Sequence, residues 1–307
     1  MTVRIDSLAP MHRARSHFGF AVHGGRLYVF GGGGAGFKSL SAVEAYDPAA
    51  DRWEARSPMP TPRSGIAAAT VGDRILVMGG GFRRPDGSFD FKSTVDVYLP
   101  LEDRWEGGPA LLMRHDAPAA VALGGTVHLF GGHHPDASGG PLTDPAFDFC
   151  EALDPAATVW RPLAPMPTAR FSLAALPMGG DIWALGGGAC QHGTFRNLDL
   201  IECYASRADR WTPGPTRLPW PAAGLHAATL GTTLWVAGGN DGGRISDRLA
   251  FYHAAHGRWE DAPPLPEPRV MGAMAHLGGR LVLVGGRGPD GQTPTAAHFA
   301  IEPTHLI

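Results

Sequence analysis

The chain has 307 residues, 26 basic against 29 acidic for a formal net charge of −3, with 44% hydrophobic residues, 43 Gly and 28 Pro. That balance argues against nucleic acid as a partner, and no apolar run approaches the roughly 18 residues that cross a bilayer. So much Gly and Pro among short apolar runs points away from helical bundles and toward an all-β fold dense in turns.

Met1 to Arg15 holds no apolar core of the kind a secretory signal needs. The first alternating apolar run follows at Arg26–Gly32 (RLYVFGG). It recurs at Arg74–Gly80 (RILVMGG), Thr126–Gly132 (TVHLFGG), Asp181–Gly187 (DIWALGG), Thr233–Gly239 (TLWVAGG) and Arg280–Gly286 (RLVLVGG). The first glycines of successive pairs, Gly31 to Gly285, stand 48, 52, 55, 52 and 47 residues apart. Four strands of about 5 residues with their turns need that length, so each interval is one four-stranded unit. Between the glycine pairs come Trp53, Trp105, Trp160, Trp211 and Trp259, each preceded seven residues earlier by Tyr46, Tyr98, Leu153, Tyr204 and Tyr252. A Pro-rich turn after each Trp leads to Arg63, Arg114, Arg170 or Arg269, whereas the fifth copy has Ala222. The segments after these turns, such as Gly65–Thr70 (GIAAAT) and Ala117–Ala122 (APAAVA), are poor in bulk, as strands converging on a crowded axis must be.

The last unit lacks a Trp. After Gly286 one strand remains, expected at residues 296–302, and the N-terminus supplies the missing piece. Pro10-Met11 aligns with Pro58-Met59, which puts Ile5 at the Trp position and makes Thr2 to Leu8 the outer strand of the last unit. Such closure removes the open sheet edges that invite aggregation.

Gly-Gly, Tyr-Asp-Pro, Trp and Pro-Met-Pro followed by Arg resemble the Kelch repeat, over essentially the whole chain from Met1 to about Pro303. The resemblance implies an all-β, six-bladed β-propeller occupying 1–307 as one domain, with four-stranded antiparallel blades and a ring closed by the N-terminal strand. It also implies that ligands bind at the mouth of the central channel. The mouth would be lined by the residues after the repeated Arg, namely Ser16, His17, Ser64, His115, Asp116, Phe171 and Ser172. The loops after Gly-Gly would add Phe82, Arg83, Arg84, His133, His134, Cys190, His192, Asn240, Asp241 and Arg287.

Two functions fit that mouth. One is capture of a peptide, a protein or a small molecule by a shallow, polar, loop-built face. The other is a metal-dependent enzyme of lyase, isomerase or oxidoreductase type. Neutral imidazole is a common transition-metal ligand, and His115, Asp116, His133, His134 and His192 could form a mixed site for iron or zinc. The long blade-three loop adds Asp136, Asp144 and Asp148. Chemistry like that of the copper oxidase of galactose needs tyrosines at the mouth, where none of the five falls. The ferrous-iron motif of the plant specifier proteins is absent as well. The five repeated arginines, Arg15, Arg63, Arg114, Arg170 and Arg269, could form a cationic ring but more plainly serve the frame, as contacts reused in every repeat do. Three cysteines without a CxxC give no disulfide framework, and the expectation is a monomer in a reducing cytoplasm.

Overall fold

The computed structural model describes residues 2–133, 146–191 and 194–304, so His134, Asp136, Asp144 and His192 lie outside the described residues. It is a six-bladed β-propeller of four-stranded antiparallel sheets. The inner strands are Gly19–His23, Ala67–Val71, Ala119–Leu123, Ala174–Met178, His226–Leu230 and Ala273–Leu277. Small side chains such as Ala67, Ala69 and Ala119 let these strands approach, and they surround an axial channel of about 510 Å³. The second strand of each blade lies between two neighbouring sheets and is buried on both faces, which is why it reads as a nearly unbroken apolar run. Leu27, Val29 and Phe30 in blade one show the pattern, being fully buried.

Each blade begins with three residues that do separate jobs. The first is Arg15, Arg63, His115, Arg170, Ala222 or Arg269, and its carbonyl accepts a hydrogen bond from the second glycine of the preceding blade, as Arg63 does from Gly32 at 2.9 Å. The second pairs with the residue after Gly-Gly in its own blade: Ser16 with Gly33, Ser64 with Gly81, Asp116 with His133, Phe171 with Gly188, Ala223 with Asn240 and Val270 with Arg287. The third is left-handed in all six blades: His17, Gly65, Ala117, Ser172, Gly224 and Met271, at φ between 51° and 65°. Its amide donates to the carbonyl of the same residue in the previous blade. Gly65 donates to His17, Ala117 to Gly65, Ser172 to Ala117, Gly224 to Ser172, Met271 to Gly224 and His17 to Met271, at 2.7 to 3.0 Å. The result is a closed ring of six backbone hydrogen bonds around the axis.

The Gly-Gly pair must fit beneath these crossings. Gly31 and Gly32 are both at positive φ, and an added Cβ would lie 2.6 Å from the Arg63 carbonyl oxygen and 2.7 Å from that of Ser16. Only glycine satisfies both demands.

The Tyr, Asp and Trp of the repeat form the outer seam. Asp51, left-handed at φ 44°, accepts from the Tyr46 hydroxyl at 2.7 Å and from the Ala9 amide at 3.0 Å, while the Trp53 indole donates to the Ala9 carbonyl at 2.9 Å. Ser57 is gripped in the same way by Asp103 and Trp105, and Ala164 by Asp209 and Trp211. In these three blades one residue of the incoming linker thus has both backbone groups satisfied by the blade it enters, whereas Trp160 donates to the Pro109 carbonyl alone. Trp53 and Trp160 are buried between blades, and Trp105, Trp211 and Trp259 are partly buried.

Closure follows the expected register. Thr2–Leu8 pairs with His298–Thr304, and Ile5 faces Ile301 as Trp53 faces Tyr46. The partner strand begins two residues later than the 296–302 read from the sequence, because Ala297 is still bonded to the Gly285 turn. Deleting residues 2–8 exposes the edge of His298–Thr304 and uncovers Ile301 and Phe299. The shortened protein is expected to melt at lower temperature and to associate at concentrations where the intact chain does not, as calorimetry and light scattering would show.

Candidate functional site

The first-position side chains point into the frame rather than the mouth. Arg15 donates to the Gly31 and Ala42 carbonyls at 3.0 and 2.7 Å and pairs with Glu44. Arg63 repeats this with Gly79, Thr94 and Asp96, and Arg170 with Gly186 and Glu202. Burial is the main influence on all three guanidinium groups and lowers their pKa, with the adjacent acid acting in the opposite direction. No cationic ring faces a ligand, because these arginines are spent inside their own blades.

Blade three overturns two expectations. His115, not Arg114, occupies the arginine position, while Arg114 is exposed. The His115 Nδ1 lies 2.6 Å from the Gly131 carbonyl and its Nε2 3.0 Å from Glu151. These acceptors, a glycine carbonyl and a carboxylate, are the kinds a buried arginine meets in the other blades. With 0% exposure and both nitrogens engaged, His115 is a frame residue and leaves the proposed metal set. Asp116 is engaged too, 2.9 Å from His133 Nδ1, as directly opposed cross-strand residues of opposite character should be. Among the described residues, no three of His, Cys, Asp and Glu come together to hold a metal ion.

Blade five drops the ion pair altogether. Ala222 stands for the arginine and Ala250 for the acid, and the Trp220 indole donates to the Gly238 carbonyl at 3.0 Å in the guanidinium's place. Blade six keeps Arg269 but sets Phe299 at the acid position, so the guanidinium lies 5.6 Å over that ring and pairs with Glu267.

The mouth is made by the second and third positions and the loops beyond Gly-Gly. His133 stacks on Phe171 with ring centroids 3.9 Å apart, Phe91 lies on its other side at 6.2 Å, and Phe171 leads to Phe195 at 5.8 Å. These rings form a continuous row across blades two to four, ending at Phe195, which is 52% exposed. Across the channel, Arg287 lies 3.9 Å above the Phe37 ring and donates to Ser16 Oγ at 3.2 Å and to the Gly291 carbonyl at 3.0 Å. His17 is half-buried beside them, 5.6 Å from Phe37 and 2.9 Å from Ser16 Oγ, and burial with like charge from Arg287 and His133 pushes its pKa down to about 3. Ser64, Ser172, Phe82, Arg83 and Arg84 lie on this face, whereas Cys190 is buried in the hairpin that carries Phe195. Asn240 and Asp241 shape their own loop, accepting from the amides of Gly242, Gly243 and Arg244. Phe37, Phe91 and Phe195 did not emerge from the sequence, although a large apolar residue in a polar loop after Gly-Gly was a usable signal.

Comparison with known proteins agrees with this architecture. The family profile described as Kelch motif matches residues 14–60 and 62–112, the first two blades. The chain is a Kelch-repeat protein. Among Kelch-like relatives, Kelch-like protein 35 of Mus musculus is 27% identical over 280 residues, covering 87% of this chain and 42% of the relative. Kelch-like protein 34 of Homo sapiens is 32% identical over 223 residues, covering 72% and 33%, and beta-scruin of Limulus polyphemus is 29% identical over 230, covering 74% and 24%. The chain therefore spans less than half the length of these curated relatives. The solved structure titled "Structure of YjhT" superposes with a TM-score of 0.79 at 17% identity, over 96% of this chain and 99% of that one, which speaks for the fold. No helix among the described residues is long and apolar enough to cross a membrane.

Removing one member of a buried pair strands the other. Arg63→Met, which leaves Asp96 alone in the frame, is expected to cost about 3–5 kcal/mol in denaturant unfolding, and adding Asp96→Leu should recover part of the loss. The alanine pair of blade five shows that the fold accommodates joint removal.

Buried histidines set a pH dependence. His226 offers Nδ1–H to the Ala237 carbonyl and accepts the Gly272 amide on Nε2 at 3.0 Å, so it must stay neutral, and burial pushes its pKa down to about 4. His298, against Tyr46 and the Ala9 carbonyl, is also pushed down to about 4 by burial. The unfolded chain takes up these protons near the ordinary value of about 6.5, so stability is full above that and declines as pH falls toward 4. Each histidine contributes up to roughly 3 kcal/mol over that window. His226→Gln should lower stability at neutral pH but flatten its slope between about pH 6.5 and 5, where most carboxylates are still ionised.

Proposed function

We propose that this Kelch-repeat protein is a binding module whose channel mouth captures a peptide or protein segment, or a small molecule of like character. The observation that supports this is the row of rings from Phe91 through His133 and Phe171 to the exposed Phe195. Phe91 and Phe171 are buried and back the row, so the surface it presents is the exposed Phe195 with the half-buried His133 beside it. This is an apolar anchor next to a channel rimmed by polar groups, as interfaces use. Arg287, His17 and Ser16 supply hydrogen-bonding character on the opposite side. The metal-dependent enzyme has less support, since His115 serves the frame.

A random peptide library displayed on phage and panned against the native protein tests the reading. Selected peptides should carry an aromatic or branched aliphatic anchor and lose at least tenfold in affinity against Phe195→Ala, the size of effect a central aromatic contact has. Selected peptides that bind the variant unchanged would place recognition elsewhere.

A further inference from the structure

Beside the mouth, the blade-one loop around Phe37 and the blade-two hairpin Gly81–Arg83/Phe89–Phe91 enclose a second cleft of about 530 Å³. Phe37, Phe82 and Pro62 give it apolar walls; Lys38, Arg83 and Arg84 give it charge, and no acid lines it. The nearest acids are already engaged. Asp90 holds Arg84 at 2.9 Å and Lys92 at 3.0 Å, and Asp86, at the hairpin tip, accepts from the Ser88 amide and hydroxyl. Lys38 and Arg83 are exposed, and among the described residues neither has an acidic partner within ion-pair distance. Two uncompensated cations in one cleft stand out in a chain whose net charge is −3.

The Phe37 ring joins this cleft to the mouth, since it lines the cleft and also carries Arg287 at 3.9 Å. Resting on the mouth reading, we infer that the cleft takes an acidic stretch of the same bound peptide, which leaves the mouth over Phe37 and runs between blades one and two. Its carboxylates meet Lys38 and Arg83 while its apolar groups lie on Phe37 and Phe82. Charge complementarity selects the occupant. A nucleic acid, with a phosphate at every step, would need a longer basic track than these residues provide on an acidic protein. Exposed pairs of this kind fix register and raise association rate more than they add affinity, so the acidic stretch acts as a selector alongside the aromatic anchor.

The test uses labelled hexaglutamate and hexaglutamine with the full chain, read by fluorescence anisotropy. Hexaglutamate should bind in a salt-sensitive way and hexaglutamine should not. Lys38→Ala combined with Arg83→Ala should weaken hexaglutamate roughly tenfold, and Arg83→Glu should weaken it more than Arg83→Ala. Arg258→Ala, which removes an exposed cation from the outer strand of blade five, should leave it unchanged. Both cations are exposed, so an unaltered melting temperature will show that the variants fold. Hexaglutamate binding that ignores the cleft variants overturns the inference, as does tighter retention of a single-stranded oligonucleotide or an anionic vesicle by the same cations. If phage-selected peptides need Phe195 but gain nothing from added glutamates, the cleft falls while the mouth stands. If hexaglutamate needs Lys38 and Arg83 although no peptide needs Phe195, the cleft stands without the mouth.

Discussion

Six amides donating to six carbonyls in a closed circle define the centre of this molecule. Each belongs to a left-handed residue, and for His17, Ala117, Ser172 and Met271 that conformation is unfavourable for the backbone alone. The circle makes it worthwhile six times over, because every bond orients the next. The residue before each left-handed position is thereby turned outward to pair with the loop after Gly-Gly, and the residue before that is turned into the blade. Frame and mouth are consequences of one backbone turn repeated around an axis.

The inward position shows how loosely chemistry is tied to geometry once the backbone is set. Arginine with an acid, histidine with an acid, a tryptophan indole beside two alanines, and arginine over a phenyl ring all serve the same glycine carbonyl or its surroundings. What each blade requires is a donor at that carbonyl and no stranded charge. Where the acid is missing in blade five, at Ala250, the arginine is missing as well, and in blade six, with Phe299 at the acid position, Arg269 pairs with Glu267 instead. The outward position carries no such demand, and there the blades diverge: serine, aspartate, phenylalanine, alanine and valine. Recognition can vary at those positions without disturbing the ring.

Much of this was legible in the sequence. The glycine pairs set blade number and spacing, and the unmatched last unit revealed the closing strand with Ile5 in register. That His115 and not Arg114 holds the frame position was also legible. In each blade the inward residue lies sixteen positions before the first glycine of its pair, from Arg15 and Gly31 to Arg269 and Gly285, and counting back from Gly131 reaches His115. At this position spacing, not residue type, marks the frame residue. The aromatic row was not legible, because Phe91, His133, Phe171 and Phe195 come from three blades and meet only after the ring has formed. Their stacking is a property of the circle, whereas the repeat is a property of the line.

The pairing of Thr2 with Thr304 has a bearing on how the molecule assembles. Five blades consist of neighbouring strands and can form as local meanders, with loops to close that are far shorter than the chain. The sixth joins segments nearly 300 residues apart, and the circle of amide bonds cannot be completed until it does. The entropic cost of so long a loop rises only with the logarithm of its length, so the barrier is one of order more than of magnitude. A chain emerging from the ribosome would hold its first strand unpaired, with Val3 and Ile5 uncovered, until the final strand arrives. Assembly therefore ends at the propeller's first strand, and the arc of five blades is the species most exposed to misassociation along the way.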